Sequence, residues 1–192
     1  MSDEAPPAAG HEQSTTPVVW ISRFVTTWLD AWNSHEADRL LALLTEDVEI
    51  RDDSWPRAMH GHDEVRPFLE ALWRASPDMR YELLAGPYLI PGEPRASLHW
   101  RGSGTFTGPM DPPGFAPTGR RWQVDGADFQ EYRDGRICRL RVTCDMMSIS
   151  RQLGLIPAIG SRAERLMAAV QRGAVGARRA SRSRRSAPPQ AQ

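Results

Sequence analysis

The chain contains no lysine; all 24 of its basic residues are arginine, read here as compositional bias rather than as function. Cysteine is almost as scarce, with Cys138 and Cys144 the only two. They fall on one expected strand, roughly 20 Å apart at strand rise. A disulfide needs Cα atoms within about 7 Å, so the two do not bridge each other. A reduced, cytoplasmic setting is the default expectation. No apolar run approaches the ~18 residues that a membrane-spanning helix needs. The opening stretch MSDEAPPAAGHEQSTTP has neither the basic nor the apolar region of a secretory signal, so none is expected.

What is present fits one domain with tails. The chain has 192 residues, 40% of them hydrophobic, enough for a real core. Its net charge of zero hides an asymmetry: from residue 151 on there are nine arginines and one acid, Glu164, so the preceding part is correspondingly acidic. Residues 1–15 are Pro-, Ala- and polar-rich and are expected to be disordered. Thr16-Pro17 reads as a helix start, with Pro at the first helical position. Val18, Ile21, Val25, Trp28, Leu29 and Trp32 then recur at helical spacing. Ser34 can cap a second helix carrying Leu40, Leu41, Leu43 and Leu44 inward. DVEIRD, 47–52, reads as a short strand. Asp63 is expected to cap a third helix with Pro67 in its first turn and a stripe of Val65, Phe68, Leu69 and Leu72.

The pattern then turns to strands: 81–90, 95–107, 121–132 and 136–143. GPMDPPGFAPTG, 108–119, has too much Pro and Gly for regular structure and reads as a loop. Asp134-Gly135 marks a hairpin. Asp145 opens a short helix ending at Gly154. Residues 158–172 read as a further helix, with Ala163, Leu166, Met167 and Val170 on one face, and 173–192 as an Arg-rich disordered tail. Three helices followed by a strand meander imply an α+β domain, with helices on one face of a curved antiparallel sheet and a conical cavity between them.

WLDAWNSHEADRLLALLTEDVEI, MHGHDEVRPFLEAL, APTGRRWQV, YRDGRI and DMMSISRQLG together resemble the SnoaL-like branch of the nuclear transport factor 2-like superfamily. The resemblance covers residues 18–157, within a domain bounded at 16–157. It implies a cone-shaped fold and membership of a group that includes polyketide cyclases. The wider superfamily adds ketosteroid isomerases, limonene epoxide hydrolases, dehydratases and non-catalytic members, so fold transfers better than reaction. Dimerisation through the outer sheet face is common in such relatives, and a homodimer is expected. In the cyclases an Asp five positions after the Ile of the DG-x-I turn is the general acid/base, and here that position is Val142. A cyclase His six residues before the DG falls on Asp128, and the family's second Asp falls on Asp145.

The hairpin itself leaves two registers open. A two-residue loop sets Asp128 opposite Arg141 as an ion pair. A three-residue loop with Gly135 in the bulge position sets it opposite Leu140 and separates apolar from polar positions better. Asp128 and Gln130 are then the polar exceptions on the cavity face. A carboxyl among apolar neighbours has a raised pKa, the state from which a proton is donated at neutral pH. Asp128 is therefore the candidate acid/base, against the alternative that it only accepts hydrogen bonds from an Arg or Trp. Candidate substrate contacts are Trp28, Trp32, Asp52, Trp55, His99, Trp122, Gln130 and Val142. Gln130 or His99 would orient a substrate carbonyl, and the 108–119 loop would help shut the mouth. Asp145 reads mainly as a helix cap. His60 and His62 have no ligand cluster in sequence, so no metal is expected, nor any other cofactor. The Arg-rich tail lacks aromatics for base stacking, so nucleic-acid or membrane contact through it is not expected. The expected function is a cofactor-independent cyclase, isomerase or hydratase acting on a small apolar carbonyl compound; the alternative is a non-catalytic binding domain.

Overall fold

The structure, a computed structural model, describes residues 17–111 and 114–185. Helices α1 (Pro17–Ser34) and α2 (Ala37–Leu41) precede strand β1 (Leu44–Asp52), the two-residue strand β2 (Met59–His60) and helix α3 (Gly61–Ala75). Strands β3 (Arg80–Leu89), β4 (Arg95–Thr105), β5 (Arg121–Arg133) and β6 (Arg136–Cys144) follow, then helices α4 (Met146–Leu153) and α5 (Arg162–Arg185). The six strands form one sheet in the order β2-β1-β6-β5-β4-β3. All neighbours are antiparallel except β1 and β6. This is the α+β architecture that the element order implies.

The core lies between the sheet and helices α1 and α3. Helical spacing on α1 buries Ile21, Phe24, Val25, Trp28 and Trp32; on α3 it buries Val65, Phe68 and Leu69. Along β5 strict alternation buries Trp122, Val124, Asp128, Gln130 and Tyr132 and turns Arg121, Gln123, Asp125 and Phe129 outward. The second helix stops at Leu41 and Leu44 starts β1 instead. The N-cap of α3 is His60, not Asp63. Its N–H is taken by the Glu64 carboxylate at 2.9 Å, which satisfies a donor otherwise orphaned at the helix start. Pro67 lies in the second turn rather than the first, and the helix continues through it. Thr16 and the 1–15 segment lie outside the described residues. The stretch expected to be a disordered tail continues α5 as far as Arg185, and residues 186–192 lie outside the description.

The hairpin adopts neither expected register. Asp134 and Gly135 have φ of 52° and 74°, the left-handed pair of a two-residue turn. Arg133 faces Arg136 and Tyr132 faces Ile137. One extra residue on β6, Cys138, then shifts the ladder, so Glu131 faces Arg139 and Asp128 faces Val142. The bulge keeps Asp128 on the apolar face and away from Arg141, whose side chain pairs instead with Asp53 at 2.5 Å.

Candidate functional site

The cavity between helices and sheet is divided into two chambers that share Asp52, Tyr81, Trp100 and Val142. The outer one has an open volume of about 70 Å³ and is walled by Leu72, Ser76, Met79, Trp122, Val124 and Cys144, with Met146, Ile149 and Leu153 from α4. Met110 of the Pro/Gly-rich loop also reaches it. The inner one, about 20 Å³, is lined by Trp28, Leu29, Trp32, Leu98 and Asp128 besides the shared residues. That is room for about one water.

Asp128 is the buried centre of a hydrogen-bond network. Its Oδ1 accepts from Trp100 Nε1 at 2.7 Å. Its Oδ2 accepts from Trp28 Nε1 and from Gln130 Nε2, each at 3.2 Å. The Gln130 carbonyl oxygen in turn accepts from the Tyr132 hydroxyl. The Tyr132 ring is fixed edge-on against Trp20 and Phe24. Burial pushes the Asp128 carboxyl up to about 6 against the downward pull of these donors, with the nearby Asp52 charge adding to the rise. Trp100 reaches the carboxylate because Gly126 lies beneath it: a Cβ at 126 would fall 2.4 Å from the indole ring.

Asp52, at the end of β1, differs from Asp128 in its bonding. Its Oδ1 accepts from the Ser54 backbone N–H and hydroxyl, while its Oδ2 has no protein donor among the described residues. Burial raises its pKa. Tyr81 stands beside it on β3, its hydroxyl without a hydrogen-bond partner among the described residues and its pKa raised by burial and by the charges of Asp52 and Asp128. A carboxylate oxygen and a phenol, both unpartnered, thus share the wall between the chambers.

The expected contacts divide. Trp28, Trp32, Asp52 and Val142 line the inner chamber, and Trp122 lines the outer one while donating to Ser76 Oγ at 3.0 Å. Gln130 is held between Asp128 and Tyr132 and does not line either chamber. His99 is exposed on the outer sheet face, because Leu98 and Trp100 take the inner one. Trp55 packs edge-on against Phe68 of α3, at 5.3 Å, outside both chambers. Asp145 caps α4, accepting from Ser148 N–H at 2.8 Å. Sequence reasoning missed Tyr81, Trp100 and the α4 residues Met146, Ile149 and Leu153. The last three recur at helical spacing in DMMSISRQLG, a signal available in the sequence.

Asp128 and Val142 are a directly opposed cross-strand pair.

The fold relatives agree with this architecture. A proposed SnoaL-like polyketide cyclase from Jannaschia sp. CCS1 superposes with a TM-score of 0.64 at 16% identity, covering 77% of this chain and 100% of that one. TsrD from Streptomyces laurentii gives 0.60 at 21% identity, covering 71% and 96%. A protein of ketosteroid isomerase-like fold from Catenulispora acidiphila, in complex with trimethylamine, gives 0.57 at 18%, covering 68% and 92%. No curated protein matches the sequence. The SnoaL-like domain model matches residues 25–140, more than half of the chain and most of the sheet that carries the two carboxyls. With the nuclear transport factor 2-like cone built around them, this chain belongs to the SnoaL-like family.

Proposed function

We propose that the protein is a cofactor-independent enzyme that moves a proton on a small, largely apolar, carbonyl-bearing molecule. The observation that carries this reading is the unpartnered pair on the shared wall, Asp52 Oδ2 and the Tyr81 hydroxyl, in a cavity otherwise lined mainly by apolar groups. Asp52 takes a proton from the carbon next to the carbonyl. The electron pair moves onto the carbonyl oxygen, where the Tyr81 O–H donates a hydrogen bond. Asp52 then returns the proton at another atom, which is isomerisation, or the enolate carbon attacks a second carbonyl of the same molecule and the alkoxide so formed takes the proton back from Asp52, which is cyclisation. In this reading the proton-transfer role expected of Asp128 passes to Asp52. Three N–H donors stabilise Asp128 as an anion, whereas a free oxygen is what a base needs. The raised pKa of Asp52 brings its proton affinity toward working pH. A protein of similar fold has been solved in complex with trimethylamine, which supports small-molecule binding by this fold.

The test is deuterium uptake from D₂O into the α-position of a panel of small ketones, read by mass spectrometry. Uptake above the buffer rate is expected, falling about 10²-fold or more in Asp52→Asn and about as much in Tyr81→Phe. A panel that exchanges no faster with protein than without overturns the reading. Val142, at the position of the cyclase acid, favours a second one, a binding domain without turnover. That outcome is ligand binding with no exchange.

A further inference from the structure

The inner chamber is built from rings and charge. Trp28 and Trp32 meet at 86° with centroids 5.9 Å apart, Trp32 and Tyr81 at 57° and 5.2 Å, and Tyr81 and Trp100 at 82° and 5.1 Å. Four rings, each turned steeply against the next, line one small space together with Asp52 and Asp128. Neither carboxyl makes an ion pair, although twelve other pairs among the described residues each use an arginine. Two desolvated carboxyls that share a chamber and lack a cation are costly unless something positive joins them. Protons do so at low pH. Among the described residues no arginine lies within ion-pair distance of either carboxyl, and Asp128 is held as an anion by three N–H donors. Trp28 and Trp100 turn their N–H edges to Asp128, and a carboxylate set among aromatic rings is a common surrounding of an organic cation.

We infer that the inner chamber takes the protonated amine head of the ligand, with Asp128 and Asp52 as its counter-charge and Trp28, Trp32, Tyr81 and Trp100 as its walls. The inference rests on the reading of the same cavity as a ligand site and deepens it: the ligand is an amine whose apolar body and carbonyl lie toward the outer chamber. The acceptor capacity fits. One lone pair of Asp128 Oδ1 and one of the two on Asp52 Oδ2 are free for N–H donors, and the second on Asp52 Oδ2 stays open for proton transfer. The size fits as well, since a chamber with room for about one water suits a compact head group and not a ring.

The test uses the full chain and two probes of similar shape at neutral pH, protonated 2-phenylethylamine and neutral 2-phenylethanol. Binding is read by titration calorimetry and by quenching of the buried tryptophans. The amine is expected to bind at least about tenfold tighter than the alcohol. Asp52→Asn is expected to remove most of that preference without weakening the alcohol, and Trp32→Leu to weaken the amine alone, with thermal melting showing that both variants fold. Equal binding of the two probes, or none by either, overturns the inference. Deuterium uptake by neutral ketones is a separate readout: uptake without amine preference leaves the enzymatic reading standing and removes this one, and amine preference without uptake does the reverse.

Discussion

At the scale of single residues, Asp128 is both the most legible and the most constrained part of the site. Alternation along β5 places it inward, and the sequence shows that much. What the sequence hides is that both its oxygens are occupied by donors. Asp128→Asn turns one acceptor into an N–H₂ group that faces an indole N–H or the Gln130 amide. It therefore does not spare folding, and a loss of about 1–3 kcal/mol is expected, measured by urea unfolding. The pH dependence follows from the direction of the shift. The folded Asp128 carboxyl is raised from 3.8 to about 6, so its contribution to stability is fully present below 3.8 and is lost as pH rises through 6. The stability gap between the wild type and Asp128→Asn should change across that window, the wild type losing ground as pH rises. A gap independent of pH between 4 and 6 contradicts the shift. Tyr132→Phe tests the far end of the network. Without the Tyr132 hydroxyl, Gln130 is free to present its carbonyl to Asp128, and the titration seen by carboxyl NMR should move to higher pH. Tyr81 was not legible for a physical reason: it is followed by three exposed residues in a row, Glu82, Leu83 and Leu84, two of them leucine, so apolar alternation along β3 does not mark its inner face.

At the scale of elements, the order of helices and strands was readable because each amphipathic stripe is long and regular, while the local irregularities that aim the site were not. The bulge at Cys138 is one such irregularity. No sequence cue separates a two-residue turn followed by a bulge from the three-residue turn, and both keep apolar and polar positions apart. Gly126 is another, a glycine that reads as a weak point in a strand but makes room for Trp100. Gly126→Ala forces the Trp100 ring off Asp128. It should cost about 1–3 kcal/mol and should red-shift tryptophan emission, checked by melting and fluorescence. Helix α5 behaves oppositely. Leu166, Met167 and Val170 are exposed, and among the residues whose burial is described none of α5 belongs to the buried core. Ending the chain at Ser161 is therefore expected to leave the melting temperature within a few degrees of the full-length value, in keeping with surface changes of about ±0.5 kcal/mol.

At the scale of the whole molecule, the zero net charge is a difference between two opposed regions. Nine arginines against one glutamate from residue 151 onward stand against an acidic remainder. The outer sheet face neutralises its own charge in a ladder, Arg95 to Glu131 at 3.4 Å, Glu131 to Arg139 at 3.2 Å and Arg139 to Glu49 at 3.7 Å. Within it Tyr88 and Phe129 share one row, both facing Ser97, at 58% and 49% exposure. Two modes of self-association follow, and they respond differently to salt. Pairing through the Tyr88–Phe129 row, the homodimer expected of this fold, is apolar and should persist when salt is added. Head-to-tail attraction between a basic α5 and an acidic body is screened beyond about 8–10 Å at physiological ionic strength and should vanish. Sedimentation velocity at low and at high salt separates them. The homodimer reading expects a salt-stable dimer that Phe129→Glu converts to monomer and that truncation at Ser161 leaves intact. A species that truncation or salt dissolves while Phe129→Glu does not assigns association to charge segregation and leaves the outer sheet face to solvent.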